Sequence, residues 1–214
     1  PELQTEVQIY QPVLQPSESL PITGTYMLNK PDGTPCIKAT VGVEYIVIEK
    51  KTWYFNLDPA RVRTSGYCNK QAAVLSLTLP DNAASLQLTF RKVRHIFYNQ
   101  TFMSFAVEAC SNKTYAGLVS NKKLFKTASG ESFKCKSDYL LPMSSVLQIK
   151  LVPLQLQAFS LHKGQYGKEV ECWADFKKRV FPIIIGAVLV CLILIALLTY
   201  LFIKDRRRQG YDTL

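Results

Sequence analysis

Hydrophobic and polar residues alternate along much of the chain, which is the period-two pattern of strands with one buried face. The longest alternation runs from Ile37 to Val47, with apolar side chains at the odd positions and Lys38, Thr40 and Glu44 between them. This pattern predicts a long strand with one face in a core.

Shorter segments repeat the pattern. Val74–Leu79 and Leu86–Phe90 flank the turn signal Pro80-Asp81-Asn82 and predict a hairpin. Leu147–Leu151 alternates in the same way, and Leu154–Gln157 resumes the alternation after a proline interrupts it. No segment before the C-terminal region shows helical periodicity. Many short strands separated by turns predict an all-β domain, an antiparallel β-prism or sandwich.

The pattern changes at Val180, where an uncharged run extends to Ile203. As a helix this run would be roughly 36 Å long, against a hydrocarbon core of roughly 30 Å. A buried core helix is the alternative, but such helices seldom run this long without a charge. The basic cluster Lys204–Arg208 is a stop-transfer signal, which argues against a cleaved anchor signal. The run therefore predicts one C-terminal transmembrane α-helix.

These patterns divide the chain into four parts. Residues 1–24 carry prolines among polar residues, and we predict an extended linker or stalk remnant there. Residues 25–176 are predicted to form the β domain, 180–203 the membrane helix and 204–214 the tail. Because the chain begins at Pro1 without a methionine or a signal segment, we expect that it is a processed chain or an expressed fragment.

Basic residues flank both ends of the span, at Lys177–Arg179 and at Lys204–Arg208, so local charge alone hardly decides the orientation. The region before the span also carries most of the cysteines and two glycosylation acceptors, Asn99 in Asn99-Gln100-Thr101 and Asn112 in Asn112-Lys113-Thr114. These features predict that the β domain is luminal or extracellular and that the C-terminus is cytoplasmic.

The cysteines predict disulfides and no metal site. Of the six cysteines, Cys191 lies inside the span, where it cannot pair with a luminal partner. There is no CxxC pair, and the two histidines, His95 and His162, lie away from any cysteine pair, so we predict no metal and no cofactor. Spacing alone leaves the disulfide pairing open. The same two histidines supply no nucleophile–base constellation, so we predict that the protein is not an enzyme.

The net charge of +10 limits the partners only weakly. The basic residues are scattered among strand-like segments, which argues against nucleic-acid binding. Attraction to anionic glycans or lipid headgroups is compatible with this charge, and a well-solvated surface is the simplest account.

Several short motifs occur in an order that resembles one protein family. In chain order they are Cys36-Ile37-Lys38-Ala39, Trp53-Tyr54-Phe55-Asn56-Leu57-Asp58-Pro59, Ser65-Gly66-Tyr67-Cys68, Leu86-Gln87-Leu88-Thr89-Phe90, Ser132-Phe133-Lys134-Cys135, Leu156-Gln157-Ala158-Phe159, Glu171-Cys172, Phe181-Pro182-Ile183-Ile184-Ile185-Gly186 and Gly210-Tyr211-Asp212-Thr213-Leu214. The ordered set resembles the lysosome-associated membrane glycoproteins, the LAMP family. The resemblance implies a β-prism luminal domain with two disulfides, Cys36–Cys68 and Cys135–Cys172.

Cys110 departs from this four-cysteine pattern. It can be a buried free thiol or can pair between chains. We favour the buried thiol, because Cys110 ends the apolar segment Phe102–Ala109 and a glycan on Asn112 would crowd an intermolecular bridge.

The tail carries the best-defined binding motif. In a GYxxΦ signal, Tyr211 and Leu214 would fill two pockets of a clathrin-adaptor medium subunit, with Gly210 preceding them and the peptide bound in extended form. We therefore expect sorting to the lysosomal or late-endosomal membrane, by a route that can pass through the cell surface.

For the luminal domain we expect a non-enzymatic role. It would shield the membrane or organise neighbours by lateral or self-association, as a homo-oligomer or with other lysosomal membrane proteins. The alternative is a receptor or accessory subunit for a luminal ligand, a transporter or antigen-loading machinery.

Overall fold

Strands and one long helix make up the part of the chain that the structure describes. The computed structural model describes residues 13–92, 102–109, 113–120 and 124–209. The chain divides into two units, Pro1–Cys172 and Trp173–Leu214, which are described separately. The strands of the first unit are β1 Gly24–Asn29, β2 Pro35–Ile48, β3 Thr52–Asn56, β4 Arg63–Cys68, β5 Ala72–Thr78, β6 Ala84–Arg91, β7 Phe102–Ala109, β8 Lys113–Ser120, β9 Glu131–Cys135, β10 Tyr139–Pro142, β11 Leu147–Ala158 and β12 Lys168–Glu171.

The described strands form two sheets. The first has seven strands in the order β1-β2-β11-β9-β12, with β3 pairing β2 and β10 pairing β11, and the second has five in the order β4-β5-β6-β7-β8. All pairs are antiparallel except β12 with β9, which is parallel. The predicted all-β fold is confirmed, and the parallel pair is a departure from a purely antiparallel domain.

The longest predicted strand is present as β2, and its odd-numbered apolar residues are buried from Ile37 to Val47. Its inward side chains share one core with those of the second sheet, where Leu75 pairs with Leu88 and Leu77 with Leu86 in the β5–β6 hairpin. The predicted turn between those strands is a short 3-10 turn at Pro80–Asn82. Each fully buried leucine contributes roughly 1.5–3 kcal/mol, so the paired leucines are a main source of stability.

The predicted interruption near residue 153 does not end a strand. β11 runs from Leu147 to Ala158, and its register with β2 shifts between Leu151 and Leu154. Opposite this irregularity β2 carries Gly42, where an added Cβ atom would clash with the Val152 carbonyl oxygen. Glycine is therefore required at this close backbone approach, which the alternating pattern by itself did not reveal.

Residues 13–23 belong to the part of the predicted linker 1–24 that the structure describes. The segment is extended, but it follows the edge of the first sheet. Gln15 and Tyr54 of β3 exchange two backbone hydrogen bonds of 2.8 Å, and the Asn56 side-chain amide donates to Ser19 Oγ at 2.7 Å. The backbone polar groups of a proline-rich segment thus find partners on an otherwise exposed strand edge.

One disulfide joins the two sheets, and another connects β9 with the end of its parallel partner β12. Cys36 at the start of β2 is bonded to Cys68 at the end of β4, so this bridge links the first sheet to the second. Cys135 at the end of β9 is bonded to Cys172, immediately after β12. These are the two pairings that the family resemblance implies.

Candidate functional site

The single long helix is the most distinctive functional element among the described residues. Helix α1, Trp173–Gln209, has 37 residues and contains the whole predicted span 180–203. At 1.5 Å per residue it is roughly 55 Å long, which exceeds the hydrocarbon core of a bilayer. Its most apolar window has a mean hydropathy of 3.2, and none of that window is buried against protein. It is long and apolar enough to cross a membrane.

The helix begins seven residues before the uncharged run, so it starts inside the predicted β domain 25–176, whose compact unit ends at Cys172. Sequence periodicity missed this start because residues 173–179 are largely charged. Charged residues do not prevent helix formation: lysine and arginine are good helix formers, and Asp175 in the first turn suits the positive end of the helix dipole.

An aromatic and basic cluster occupies this N-terminal end of α1. The rings of Trp173 and Phe176 stack, with centroids 5.5 Å apart and planes inclined by 14°. The Lys177 ammonium lies 5.2 Å from the centre of the Trp173 indole. Both aromatic side chains are exposed, Trp173 at 67% and Phe176 at 39%. Protein packing therefore does not account for their position.

The C-terminal end of α1 carries the basic residues that the sequence predicts to be a stop-transfer signal. The helix continues through Lys204 to Gln209, and the Arg206 guanidinium lies 5.3 Å from the centre of the Phe202 ring. The sorting residues Gly210, Tyr211 and Leu214 lie outside the described residues. The structure therefore places the start of the tail and leaves the adaptor motif as a sequence prediction.

The glycosylation acceptors Asn99 and Asn112 also lie outside the described residues, as does Cys110. In the sequence, Asn99 falls between β6 and β7 and Asn112 between β7 and β8. Cys191 is an exposed free cysteine on α1. Glycosylation of Asn99 and Asn112 and the free thiol of Cys110 therefore remain predictions. Cys191 lies within the predicted span, as expected.

A buried ion pair in the β domain was not foreseen. Glu44 on β2 and Lys150 on β11 are directly paired in register, and Lys150 Nζ lies 2.5 Å from Glu44 Oε2. The Glu44 side chain is 0% exposed and that of Lys150 is 4% exposed. Lys150 also pairs with Glu18, and the Ser19 N–H donates to Glu44 Oε1 at 3.0 Å. The N-terminal segment therefore completes and covers the pair.

The surroundings of Lys150 favour its charged form. Burial lowers the pKa of Lys150, but the hydrogen bonds and charges of Glu18 and Glu44 outweigh burial and raise it overall. The signal that could have found this site is a glutamate and a lysine at the centres of two long alternating strands. Nothing in the local sequence identifies which distant segment covers them.

Tyr166 anchors a second polar contact between strands. Its hydroxyl lies 2.8 Å from Thr40 Oγ1 and 3.2 Å from the Gln155 carbonyl oxygen. Burial raises the pKa of Tyr166 to about 12, despite the opposing hydrogen bond with Thr40. The phenol therefore stays protonated at neutral and acidic pH, and its role is structural.

His162 does not form part of a catalytic arrangement. It is an exposed turn residue whose carbonyl oxygen accepts a 2.9 Å hydrogen bond from the Gln165 N–H, and its imidazole contacts no described partner. His95 lies outside the described residues. Among the described residues, therefore, no histidine is positioned to activate a nucleophile.

Comparison with known proteins explains the combination of a disulfide-bonded β domain and an exposed apolar helix. The family described as "Lysosome-associated membrane glycoprotein 2-like, luminal domains" matches residues 11–173. The chain belongs to the LAMP family. The match begins at residue 11, which agrees with the attachment of residues 13–23 to the first sheet.

Curated LAMP relatives match along nearly all of the chain. Human lysosome-associated membrane glycoprotein 3 is 32% identical over 206 residues, covering 94% of this chain and 48% of that protein. Mouse lysosome-associated membrane glycoprotein 2 is 30% identical over 197 residues, covering 88% of this chain and 45% of that protein. The chain thus spans about half the length of the curated relatives it matches.

Solved LAMP structures share the fold of the β domain. The crystal structure of human LAMP-3, also called DC-LAMP, is 33% identical, covers 71% of this chain and 99% of that chain, and superposes with a TM-score of 0.65. The membrane-proximal domain of mouse LAMP-1 is 21% identical, covers 72% of this chain and 99% of that chain, and superposes with a TM-score of 0.62. At that identity the second comparison supports the fold alone.

Membership in the LAMP family also settles the class of protein. LAMP proteins are structural glycoproteins of the lysosomal membrane and are not enzymes. The expectation of a non-enzymatic protein with one candidate membrane helix is therefore confirmed at the level of the family.

Proposed function

We propose that this LAMP chain is a single-pass type I glycoprotein of the lysosomal or late-endosomal limiting membrane. Its β domain lies in the lumen, α1 crosses the bilayer and the C-terminus lies in the cytosol. The observation that carries the proposal is a LAMP-type β domain followed by a helix whose apolar residues are exposed along its length. Such a helix is stable only where lipid covers those side chains.

Sorting in this proposal depends on the tail. Clathrin-adaptor medium subunits would bind the GYxxΦ segment as an added strand, with Tyr211 and Leu214 in separate pockets and Gly210 before them. Passage through the cell surface fits this mechanism, because such adaptors retrieve cargo from that membrane. Support comes from the position of the motif, which begins directly after the last described helical residue, Gln209.

The luminal domain would shield the bilayer or organise neighbouring proteins. Two disulfides and a buried ion pair suit a domain that must persist among acid hydrolases. Asn99 and Asn112 would carry N-linked glycans, which add bulk on the luminal side. Lateral or self-association through this domain is the expected mode of organisation.

The sorting proposal is tested by Tyr211→Ala, which removes the ring that would fill the adaptor pocket. We expect the variant to accumulate at the plasma membrane, measured by surface biotinylation and by colocalisation with a lysosomal marker. Thr213→Ala is the matched control, because that residue lies between the two pocket residues and should leave the location unchanged. A Tyr211→Ala protein that still reaches lysosomes would contradict the proposal.

The role of the luminal domain is tested by crosslinking in lysosomal membranes followed by mass spectrometry. Crosslinks between copies of this chain are expected. A stoichiometric partner of another kind, without self-contacts, would contradict lateral self-association and favour an accessory subunit instead.

A further inference from the structure

The outer faces of the two sheets differ in what covers them. On the first sheet, the Ser19 N–H of the N-terminal segment donates to Glu44 Oε1 at 3.0 Å, and the Tyr166 hydroxyl of the loop before β12 lies 2.8 Å from Thr40 Oγ1. The chain itself therefore covers part of that face. On the second sheet, the Tyr67 side chain of β4 is 57% exposed.

The outward positions of the second sheet form three rows that cross its strands. The paired leucines of β5 and β6 are buried in the core, so the alternate positions of these strands face outward. Register places the outward residues of β4, β5 and β6 in three rows: Arg63, Thr78 and Ser85; Ser65, Ser76 and Gln87; and Tyr67, Val74 and Thr89. The same rows continue into β7 and β8 at Ala106 and Ala116, at Ser104 and Leu118, and at Phe102 and Ser120.

These rows contain little charge. Arg63, at one corner, is the single charged residue among their positions. Charged residues usually make up about 25–35% of a protein surface. The outward positions of the first sheet follow that rule, since they include Lys38, Lys134 and Lys150. The second sheet therefore presents a continuous face of mostly small, uncharged residues.

The chemistry of this face suits a second copy of the chain. The net charge of +10 makes two copies repel each other, so contact between them is favoured where cationic side chains are absent. In a two-fold contact the same patch is present on both sides. Hydroxyl and amide groups both donate and accept hydrogen bonds, so Ser65, Ser76 and Gln87 can pair with their counterparts, whereas two lysines could not.

The size of the face is sufficient for a weak, specific contact. Its shortest outer strand, β4, has six residues and makes the face about 20 Å long, and five strands make it about 24 Å wide. Two copies would bury roughly 1,000 Å² in total, which is near the lower limit for specific interfaces. Copies anchored in one membrane meet at a high effective concentration, so a contact of this size can hold them together.

We propose that the outer face of the second sheet is the surface through which two copies of this chain associate laterally. The inference rests on the proposed function, because it names the surface for the self-association expected there. The middle row, with Ser65, Ser76 and Gln87, lies at the centre of the contact. Tyr67 packs against the partner copy beside that row, and Arg63 stays at the solvent-exposed rim.

Photocrosslinking of the full chain in vesicles tests this surface. The photoreactive amino acid p-benzoylphenylalanine replaces Tyr67 on the second sheet. The matched control places it at Leu140, which is 54% exposed and lies in register with Lys150 on the first sheet. We expect the yield of crosslinked dimer from Tyr67 to exceed that from Leu140 about tenfold, the ratio that a preference of about 1.4 kcal/mol for this face gives.

Charge variants test the contact itself, with the probe kept at Tyr67. Ser76→Arg/Gln87→Arg places like charges opposite each other, so the dimer yield should fall about tenfold or more. The matched control Thr52→Arg/Gln148→Arg adds the same charge to the outer face of the first sheet and should leave the yield unchanged. Copies with Ser76→Arg/Gln87→Arg should crosslink again with copies carrying Ser76→Glu/Gln87→Glu, which also shows that both variants fold.

Failure of the surface is distinguishable from failure of self-association. A dimer yield that Ser76→Arg/Gln87→Arg leaves at the parent value overturns the surface. Dimers that form from Leu140 and not from Tyr67 overturn the surface but retain self-association. In lysosomal membranes, a Tyr67 product with a different protein in place of a dimer overturns the second copy as the occupant. If neither probe yields a dimer, the self-association of the proposed function fails together with the surface.

Discussion

Replacing Lys150 by methionine should destabilise the β domain more than replacing either of its two glutamate partners. The substitution leaves Glu44 buried, with a carboxylate that is 0% exposed and has lost the ammonium 2.5 Å away. Breaking a buried pair in this way costs about 3–5 kcal/mol, because the remaining charge keeps its desolvation penalty without compensation. We expect a loss of that size in the free energy of unfolding.

The geometry predicts that removing the charge of Glu44 lowers the free energy of unfolding less than removing the charge of Lys150. In Glu44→Gln, Lys150 retains Glu18 as a counter-ion, and the amide oxygen can still accept the Ser19 N–H. The cost should therefore be smaller, about 1–3 kcal/mol. Glu18→Gln changes a residue whose side chain is 57% exposed, and a pair at that exposure contributes at most about 1 kcal/mol.

The double variant Lys150→Met/Glu44→Gln removes both charges. It should recover about 2 kcal/mol or more relative to Lys150→Met alone, since no unpaired charge stays buried. Additive losses in the double variant, or a cost of Lys150→Met no larger than that of Glu18→Gln, would refute the reasoning from burial.

Urea unfolding of residues 1–172 provides the assay, with Trp53 as the fluorescent reporter on β3. Residues 1–172 are one of the two compact units of the chain and contain both disulfides, so this unit is suitable for study alone. Equal slopes of free energy against urea are required before the midpoints are compared. Because the pKa of Lys150 is raised, its contribution is complete below the unfolded value of 10.5 and is lost only as the pH rises through the folded value.

Two further predictions concern the same unit. Replacing Cys36 and Cys68 by alanine removes a bridge with a sequence separation of 32, so the free energy of unfolding should fall by about 3.7 kcal/mol; an unchanged urea midpoint would contradict this. The pKa of Glu169 is lowered, chiefly by its hydrogen bond with Lys134, so its contribution is present above the unfolded value of 4.5 and is lost as the pH falls through the folded value. Glu169→Gln should lower stability at neutral pH by under about 1 kcal/mol, and unfolding curves in acid should converge with those of the parent chain; a difference that persists at low pH would contradict the assignment.

Local patterns predicted the elements well where one physical cause dominates. The alternation in β2 predicted a strand because one of its faces is buried in a core. Burial of one face also explains the alternation in β5 and β6, which the predicted turn joins into a hairpin. The uncharged run predicted a membrane helix because no other environment accepts so many exposed apolar residues. In each case the residues that determine the element lie within it.

Other features depend on contacts between distant segments. Glu44 occupies a polar position of β2, yet it is buried, and Ser19 of the N-terminal segment contacts it while Glu18 contacts its partner Lys150. Glu18 and Lys150 are separated by 132 positions, so no local window contains both. The early start of α1 was hidden for a different reason, since charged helix formers lack the apolar periodicity that marks a helix.

The amino-acid sequence by itself therefore determined the class of fold, the candidate membrane helix and the family, and it predicts the adaptor motif at Tyr211 and Leu214. Each follows from residue type and short-range order. The tertiary structure decided where the N-terminal segment lies, which charges are buried and how Trp173 and Lys177 meet at the start of α1. Burial is a property of the surroundings, and the surroundings of a side chain are assembled only when distant segments pack together.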